Sequence, residues 1–253
     1  MRRVVATFVA AWACAFAGAA LAAEDGACAV ATNLVSPDVG LSHVAEAIQK
    51  AHHLDIAVMG TGSSILPGSS GADVAYPARL QATLSKHLPG VEIKVSSYAR
   101  MKQTAAEMAT GFAKLLTGAQ PALVIWQTGT VDAMKGIDPD DFRAALEDGV
   151  MALQSKGSDV VLMNMQYSPR TESMIAINTY ADNMRWVAQN REVPLFDRFA
   201  IMKQWSELGT FDLYGATRNL ETAAHVHDCI GQLLGDLVLE GVKLAQAQPK
   251  AAQ

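Results

Sequence analysis

Charged residues are scarce in this chain of 253 residues, at 18% of the sequence, and neither sign dominates. The 20 Lys and Arg against 25 Asp and Glu leave a net charge of −5, whereas nucleic-acid-binding domains carry basic surfaces. The fixed-period repeats that build solenoids and propellers are also missing. We therefore expect no nucleic-acid partner and no repeat architecture. The 50% hydrophobic content predicts one compact globular domain instead.

Long hydrophobic runs are missing except at the N-terminus. Two arginines follow Met1, an Ala-rich apolar run covers residues 4–19, and small residues occupy positions 20 and 22. This order is typical of a secretory signal peptide, and the run is short for a membrane span. We predict a signal peptide over residues 1–22 and a periplasmic or secreted protein without a membrane span after cleavage. A retained anchor is the alternative.

Cysteine is also rare, with three in the sequence. Cys14 lies in the predicted signal peptide, which leaves Cys28 and Cys229 as a pair in an oxidising compartment. We predict a disulfide between them, with Cα atoms ~4.4–6.8 Å apart. Two unrelated buried thiols are the alternative.

Apolar runs of strand length alternate with amphipathic stretches of helix length along most of the chain. Near-continuous apolar strands suit a parallel sheet that is covered on both faces. The alternation predicts an α/β fold, a three-layer α/β/α sandwich with a doubly wound parallel sheet of about five strands. The predicted strands are 56–59, 91–95, 122–126, 160–163 and 194–196, and a long helix is predicted over 172–190.

The same patterns predict the domain limits. Residues 23–53 form an N-terminal arm and helix, and residues 54–242 form the α/β domain. Residues 243–253 lack an apolar period, which predicts a disordered tail.

In doubly wound sheets the ligand site lies beyond the carboxyl ends of the strands, so the loops there carry the candidate chemistry. Gly60-Thr61-Gly62-Ser63-Ser64 follows the first strand, and no Lys stands where a P-loop requires one. The third strand ends in a block, "VIWQTGT", that continues into Val131-Asp132. Tyr76-Pro77 opens the first helix of the domain.

With these blocks the chain resembles the SGNH/GDSL hydrolases over roughly residues 54–242. The resemblance implies a flavodoxin-like sandwich that hydrolyses acyl esters by a Ser–His–Asp triad without a cofactor. It also implies an oxyanion hole formed by the serine N–H, a glycine N–H and an asparagine amide.

The residues at the family's catalytic positions are different in this chain. Gly62 stands at the position of the nucleophilic serine, and Val131 replaces the asparagine. The block after the second strand lacks its glycine, and Arg218 and Glu221 stand at the positions of the triad's Asp and His. The sequence therefore predicts no triad in the family's register.

Two functions remain open at this point. The first is a pseudoenzyme that uses the former cleft to bind a small acylated or anionic ligand, or an envelope protein. The alternative is an active serine esterase with a rearranged site. Its nucleophile would be Ser63 or Ser64, its base His225 or His227, and its orienting acid Asp228 or Glu221.

A polar pocket is expected at the carboxyl ends of the strands, because Gly60 and Gly129 still provide glycine turns there. Asp132 is expected to bond the backbone of a neighbouring loop. We expect no metal, since His225 and His227 point apart if they lie on a helix. The predicted pocket lining consists of Thr61, Gly62, Ser63, Lys102, Val131, Asp132 and Glu221.

Overall fold

The computed structural model describes residues 26–118, 120–215 and 219–247. The predicted signal peptide and Arg218 lie outside the described residues. Five parallel strands form one sheet in the order β2-β1-β3-β4-β5. They are β1 His53–Gly60, β2 Glu92–Ala99, β3 Leu123–Gln127, β4 Asp159–Met163 and β5 Leu195–Phe196. The predicted doubly wound α/β/α sandwich is confirmed.

Helices connect the strands and cover both faces of the sheet. They are α1 Ser42–Glu46, α2 Tyr76–His87, α3 Ala105–Ala109, α4 Phe112–Gly118, α5 Thr130–Lys135, α6 Pro139–Gln154, α7 Pro169–Met174, α8 Ile177–Asn190, α9 Arg198–Glu207 and α10 Leu220–Ala247. A π-helical turn, Ala47–Ala51, joins α1 to β1, and a 3₁₀ turn, Gly62–Ser64, follows β1. No helix within the described residues combines the length and apolar character needed to cross a membrane.

The central strands carry the core because their side chains are buried on both faces of the sheet. Every residue of β3 is buried, and so is every residue of β4 after Asp159. The strand order reverses between β1 and β3, which is where doubly wound sheets open a crevice for ligands. The loops after β1, β3, β4 and β5 therefore converge at one end of the sheet.

The last helix, α10, packs closely against α2 because two glycines face it. A Cβ on Gly231 would lie 2.9 Å from the backbone nitrogen of Leu80, and one on Gly235 would lie 2.6 Å from Thr83 Cγ2. Cys229 on the same helix forms a disulfide with Cys28, with Cα atoms 5.0 Å apart, as predicted. The disulfide and this packing fix the helix that carries His227.

Each predicted strand overlaps an observed one and differs from it at one or both ends, whereas the predicted long helix and the predicted tail differ from the structure in kind. The helix predicted over 172–190 is two helices, α7 and α8, because Ile175 between them has extended backbone angles. Ser168 caps the first of them by accepting from the backbone N–H of Thr171. Helix α10 also continues to Ala247, so five residues assigned to the disordered tail are helical.

Candidate functional site

The site at the ends of the strands is built on Gln127, the last residue of β3, whose side chain is fully buried. Its Nε2 donates to Thr61 Oγ1 at 3.1 Å and to Ser63 Oγ at 2.9 Å. Its Oε1 accepts from Ser64 Oγ and, at 3.3 Å, from the Tyr76 hydroxyl. All four hydrogen-bonding positions of the amide are filled, so Gln127 holds the loop after β1 in one conformation.

Ser64 lies beneath this loop and is inaccessible to a substrate. Its exposed fraction is 0%, and its hydroxyl contacts Gln127 and the hydroxyl of Tyr76, 3.1 Å away. Gly60 makes room for it, because a Cβ at that position would collide with Ser64 Oγ. Ser64 therefore locks the turn and is not a candidate nucleophile.

Ser63, by contrast, faces a pocket. Its Oγ accepts from Gln127 Nε2 at 2.9 Å and from Arg198 Nη2 at 3.4 Å. A serine oxygen has two lone pairs, and these two donors occupy both of them. The Ser63 hydroxyl can therefore bind a further partner only by donating its hydrogen.

Arg198 begins α9, directly after β5, and only 3% of it is exposed. The neighbouring Asp197 cannot serve as its partner, because that carboxylate accepts from Arg185 at 2.9 and 3.0 Å and from Asn164 at 2.7 Å. Burial lowers the pKa of Arg198 to about 10. In the described part of the chain, no carboxylate lies within ion-pair distance of Arg198 and its Nε has no hydrogen-bond partner.

His227 on α10 borders the same pocket. Its Nδ1 accepts from the backbone N–H of Tyr76 at 3.0 Å, which requires the neutral tautomer to carry its hydrogen on Nε2. Burial, reinforced by the positive charge of Arg198, lowers the pKa of His227 to about 4. Near neutral pH the ring is therefore a neutral group that donates through Nε2, and its only lone pair is occupied.

The pocket has a volume of ≈ 280 Å³ and lies between the turn after β1, the loop after β4, and helices α9 and α10. Ser63, His227 and polar residues of the loop after β4 form its polar part. Most of the remaining wall is apolar and comes from Ile65, Leu66, Met202, Leu213, Ala223 and Val226.

The structure brings only some of the predicted lining residues to this pocket. Gly62 and Ser63 line the pocket, and Thr61 lies buried beside them with its hydroxyl bonded to Gln127. Lys102, Val131, Asp132 and Glu221 do not line it. The pocket is lined by the loop after β4 and by α9, whereas Lys102 lies in the turn after β2, Val131 and Asp132 lie in α5, and Glu221 lies at the exposed start of α10.

Each of the four has another environment. Asp132 is buried, and its carboxylate accepts from the backbone N–H of Ala105 at 2.9 Å, which is the loop contact expected for it. Burial raises the pKa of Asp132. Lys102 is exposed with φ at 64°, Val131 is half-buried, and Glu221 is exposed.

The rearranged triad is not assembled in this structure. Across residues 26–118, 120–215 and 219–247, no hydrogen bond joins a serine hydroxyl to a histidine ring. His225 is exposed, and Asp228 pairs with Arg79 at 3.4 Å. Among these residues, no three His, Cys, Asp or Glu side chains cluster as metal ligands would.

Gly62, which the resemblance places at the nucleophile position, lacks a hydroxyl for no steric reason. A Cβ on Gly62 would meet only the side chain of Met101, at 3.5 Å from its Cε, which is an ordinary contact distance. The turn could hold a serine there but does not.

Sequence reasoning missed the two residues that organise the site, Gln127 and Arg198. Gln127 stood inside the quoted "VIWQTGT" block, and a polar residue that ends an otherwise apolar strand was the available signal. Arg198 follows the fifth strand, in the sequence Asp197-Arg198-Phe199, but nothing there indicates that Asp197 pairs elsewhere.

Known structures share this fold. A protein named TesA matches with a TM-score of 0.56 at 20% identity, over 72% of this chain and 99% of its own. A lipolytic protein of the G-D-S-L family from Desulfitobacterium hafniense DCB-2 matches with a TM-score of 0.57 at 15% identity, over 72% and 98%. A catalytic mutant of Axe2, an acetylxylan esterase from Geobacillus stearothermophilus, matches with a TM-score of 0.59 at 16% identity, over 73% and 94%. These identities establish the fold alone.

The sequence comparisons give the family. No curated protein sequence matches the chain. The model of the non-GDSL lipase-like family matches residues 27–244, which includes every strand and the turns that form the pocket. This match confirms the relationship to SGNH/GDSL-like hydrolases, and the chain belongs to the non-GDSL lipase-like family.

Proposed function

We propose that the protein is an exported, non-hydrolytic member of its family that binds a small ligand in the pocket beside Ser63 and His227. The observation that carries this proposal is the hydrogen bond from the Tyr76 backbone N–H to His227 Nδ1 at 3.0 Å. A general base needs a free lone pair directed at the nucleophile's hydroxyl. His227 has none to offer, because its second nitrogen carries the proton.

The nucleophile side of the reaction is equally incomplete. Gly62 has no hydroxyl, Ser64 is sealed beneath the turn, and Ser63 accepts two hydrogen bonds without donating to a base. Val131 has no side-chain amide to donate to an oxyanion, a loss that in hydrolases raises the barrier by about 3 kcal/mol. What remains of the site can bind but has no group to activate an attack.

Export is supported by the cysteine pair. Disulfides persist in oxidising compartments, and the Cys28–Cys229 bond agrees with the predicted signal peptide. A periplasmic or secreted location is therefore part of the proposal.

The test is hydrolysis and covalent labelling of the purified mature protein. We expect no burst with p-nitrophenyl acetate or butyrate and no labelling by a fluorophosphonate, and a Ser63→Ala variant should behave like the wild-type protein. Stoichiometric labelling at Ser63 that disappears in Ser63→Ala would overturn the proposal.

That outcome would support an active esterase with a rearranged site. One observation favours this second function, namely that Ser63 and His227 line the same pocket. It would require the His227 ring to release the Tyr76 N–H and turn its lone pair toward Ser63, which exposes a buried backbone donor.

A further inference from the structure

We propose that this pocket binds the carboxylate of a small apolar acid through Ser63 and His227, with the positive charge of Arg198 behind Ser63 favouring the anion. The inference rests on the proposed non-hydrolytic function and names the class of ligand. Its basis is that Ser63 and His227 line the same largely apolar pocket with donor hydrogens that have no acceptor among the described residues.

Ser63 and His227 offer donor hydrogens to the pocket, and Arg198 supports Ser63 from behind. Ser63 has its hydroxyl hydrogen left, because both oxygen lone pairs are taken. His227 has its Nε2 hydrogen left, because Nδ1 accepts from Tyr76. Arg198 lies behind Ser63 with a guanidinium that has an unpartnered Nε. An ionised carboxylate is an acceptor-only group with two oxygens, so it complements this set.

The charge balance points to an anion as well. Two carboxylates in this region already have cationic partners: Asp197 pairs with Arg185 at 2.9 Å, and Glu172 pairs with Lys203 at 2.8 Å. Arg198 is 3% exposed and has no such partner among the described residues. A buried cation that lacks a counterion is costly, and a bound anion would remove that cost.

The rest of the pocket limits the ligand's size and character. Its volume of ≈ 280 Å³ is at the lower end of the about 300–1,000 Å³ that is usual for small-ligand sites. The wall away from the donors is largely apolar, with Met202 and Val226 on opposing helices. A short alkyl chain fits this wall, whereas a sugar or a nucleotide would leave polar groups unpaired there.

The experiment is isothermal titration of the mature protein at pH 7 with hexanoate, 1-hexanol and hexylammonium, which share one chain length and differ in the head group. We expect hexanoate to bind at least about tenfold more tightly than hexanol, and hexylammonium not to bind. Equal binding of hexanoate and hexanol, or no binding of hexanoate, would overturn the inference.

Variants then locate the carboxylate. Arg198→Gln should weaken hexanoate binding by about tenfold or more, because it removes the positive charge behind Ser63, and Ser63→Ala should weaken it by a few-fold. Arg170→Gln is the matched control, because Arg170 is exposed and precedes the pocket residue Thr171, so it removes the same charge without touching the donors.

Arg198→Lys is the control for a folding defect in Arg198→Gln. It keeps the positive charge, so it should bind hexanoate more tightly than Arg198→Gln does. Full hexanoate affinity in a folded Arg198→Gln protein would overturn the inference. A different result would overturn the proposed non-hydrolytic function, namely hydrolysis of hexanoate esters by the wild-type protein. If hexanol bound as tightly as hexanoate and no ester were hydrolysed, the proposed function would stand and only the carboxylate inference would fail.

Discussion

At the scale of single residues, burying the charged side chain of Arg198 costs desolvation free energy that its contacts in the fold do not fully offset. Burying an ion without a partner opposes folding, and among the described residues the contact with Ser63 at 3.4 Å is the one hydrogen bond of its side chain that offsets part of this cost. Residues that lower stability in this way are typical of binding sites, where a ligand later supplies the missing partner.

This cost leads to a test of stability. Arg198→Met keeps much of the side-chain volume and removes the buried charge, so we expect the free energy of unfolding to rise by about 1–2 kcal/mol. Arg185→Met, which leaves Asp197 without its ion pair, should instead lower it by about 1–3 kcal/mol. Urea unfolding followed by circular dichroism measures both. A clear loss of stability in Arg198→Met would mean that the guanidinium has a structural partner.

His227 should make stability depend on pH. Its pKa of about 4 in the folded protein lies below the ordinary value of 6.5, so the unfolded chain binds the extra proton. Its contribution is therefore complete above pH 6.5 and is lost as the pH falls toward about 4, by up to about 3 kcal/mol. Arg198 is the charged group that adds to the effect of burial.

The measurement is urea unfolding at pH 7 and pH 5 for three proteins. His227→Asn, whose amide oxygen can still accept from Tyr76, should lose less stability than the wild-type protein between these pH values. The exposed His225 gives the control, and His225→Gln should follow the wild-type curve. Identical curves for all three would place the pKa of His227 near its ordinary value.

At the scale of helices and strands, the five strands could be predicted because a covered parallel sheet leaves continuous apolar runs in the sequence. The break between α7 and α8 could not, because the extended backbone at Ile175 has no Gly or Pro to mark it. The position of the pocket within the crevice was also not predictable. Asp132, which was expected to line it, is buried and accepts from the backbone N–H of Ala105 instead.

The sequence predicts which residues form the turn after β1, but it does not predict the hydrogen bonds that these residues and their neighbours make. Gly62 and Ser63 follow β1 and could be placed from the strand pattern alone. The tautomer of His227 and the unpartnered state of Arg198 depend on Tyr76 and Asp197, whose contacts arise only in the folded chain. Spacing in a sequence carries no information on which of two neighbouring charges finds a partner.

The packing of α10 on α2 gives a test at this scale. In Gly231→Ala the new Cβ would lie 2.9 Å from Leu80 N and 3.0 Å from the backbone carbon of Arg79, so the helices must separate. We expect a net loss of about 1–2 kcal/mol, because overpacking outweighs the gain in helix propensity. Gly118→Ala, where a Cβ has nothing within 4 Å, should be neutral or slightly stabilising. Thermal unfolding compares the two, and equal effects would contradict the close approach.

At the scale of the whole molecule, one covalent bond joins the first described segment to the last helix. Cys28 and Cys229 are 201 residues apart in sequence, so their disulfide closes most of the chain into one loop. Because α10 also packs on α2 and carries His227, the bond and the pocket depend on the same helix. Loss of the disulfide should therefore affect folding of the whole domain more than the geometry of the pocket.

Replacing both cysteines by serine separates these two effects. Closing so long a loop restricts the unfolded chain, and removing such a bond typically costs about 2–5 kcal/mol, so the Cys28→Ser/Cys229→Ser protein should unfold at a clearly lower urea concentration. Since the contacts of α10 with α2 remain, the folded fraction should still bind hexanoate within a few-fold of the wild-type affinity. An unchanged unfolding midpoint would show that the N-terminal segment is ordered without the bond. Loss of binding in a folded double variant would show that the disulfide also positions His227.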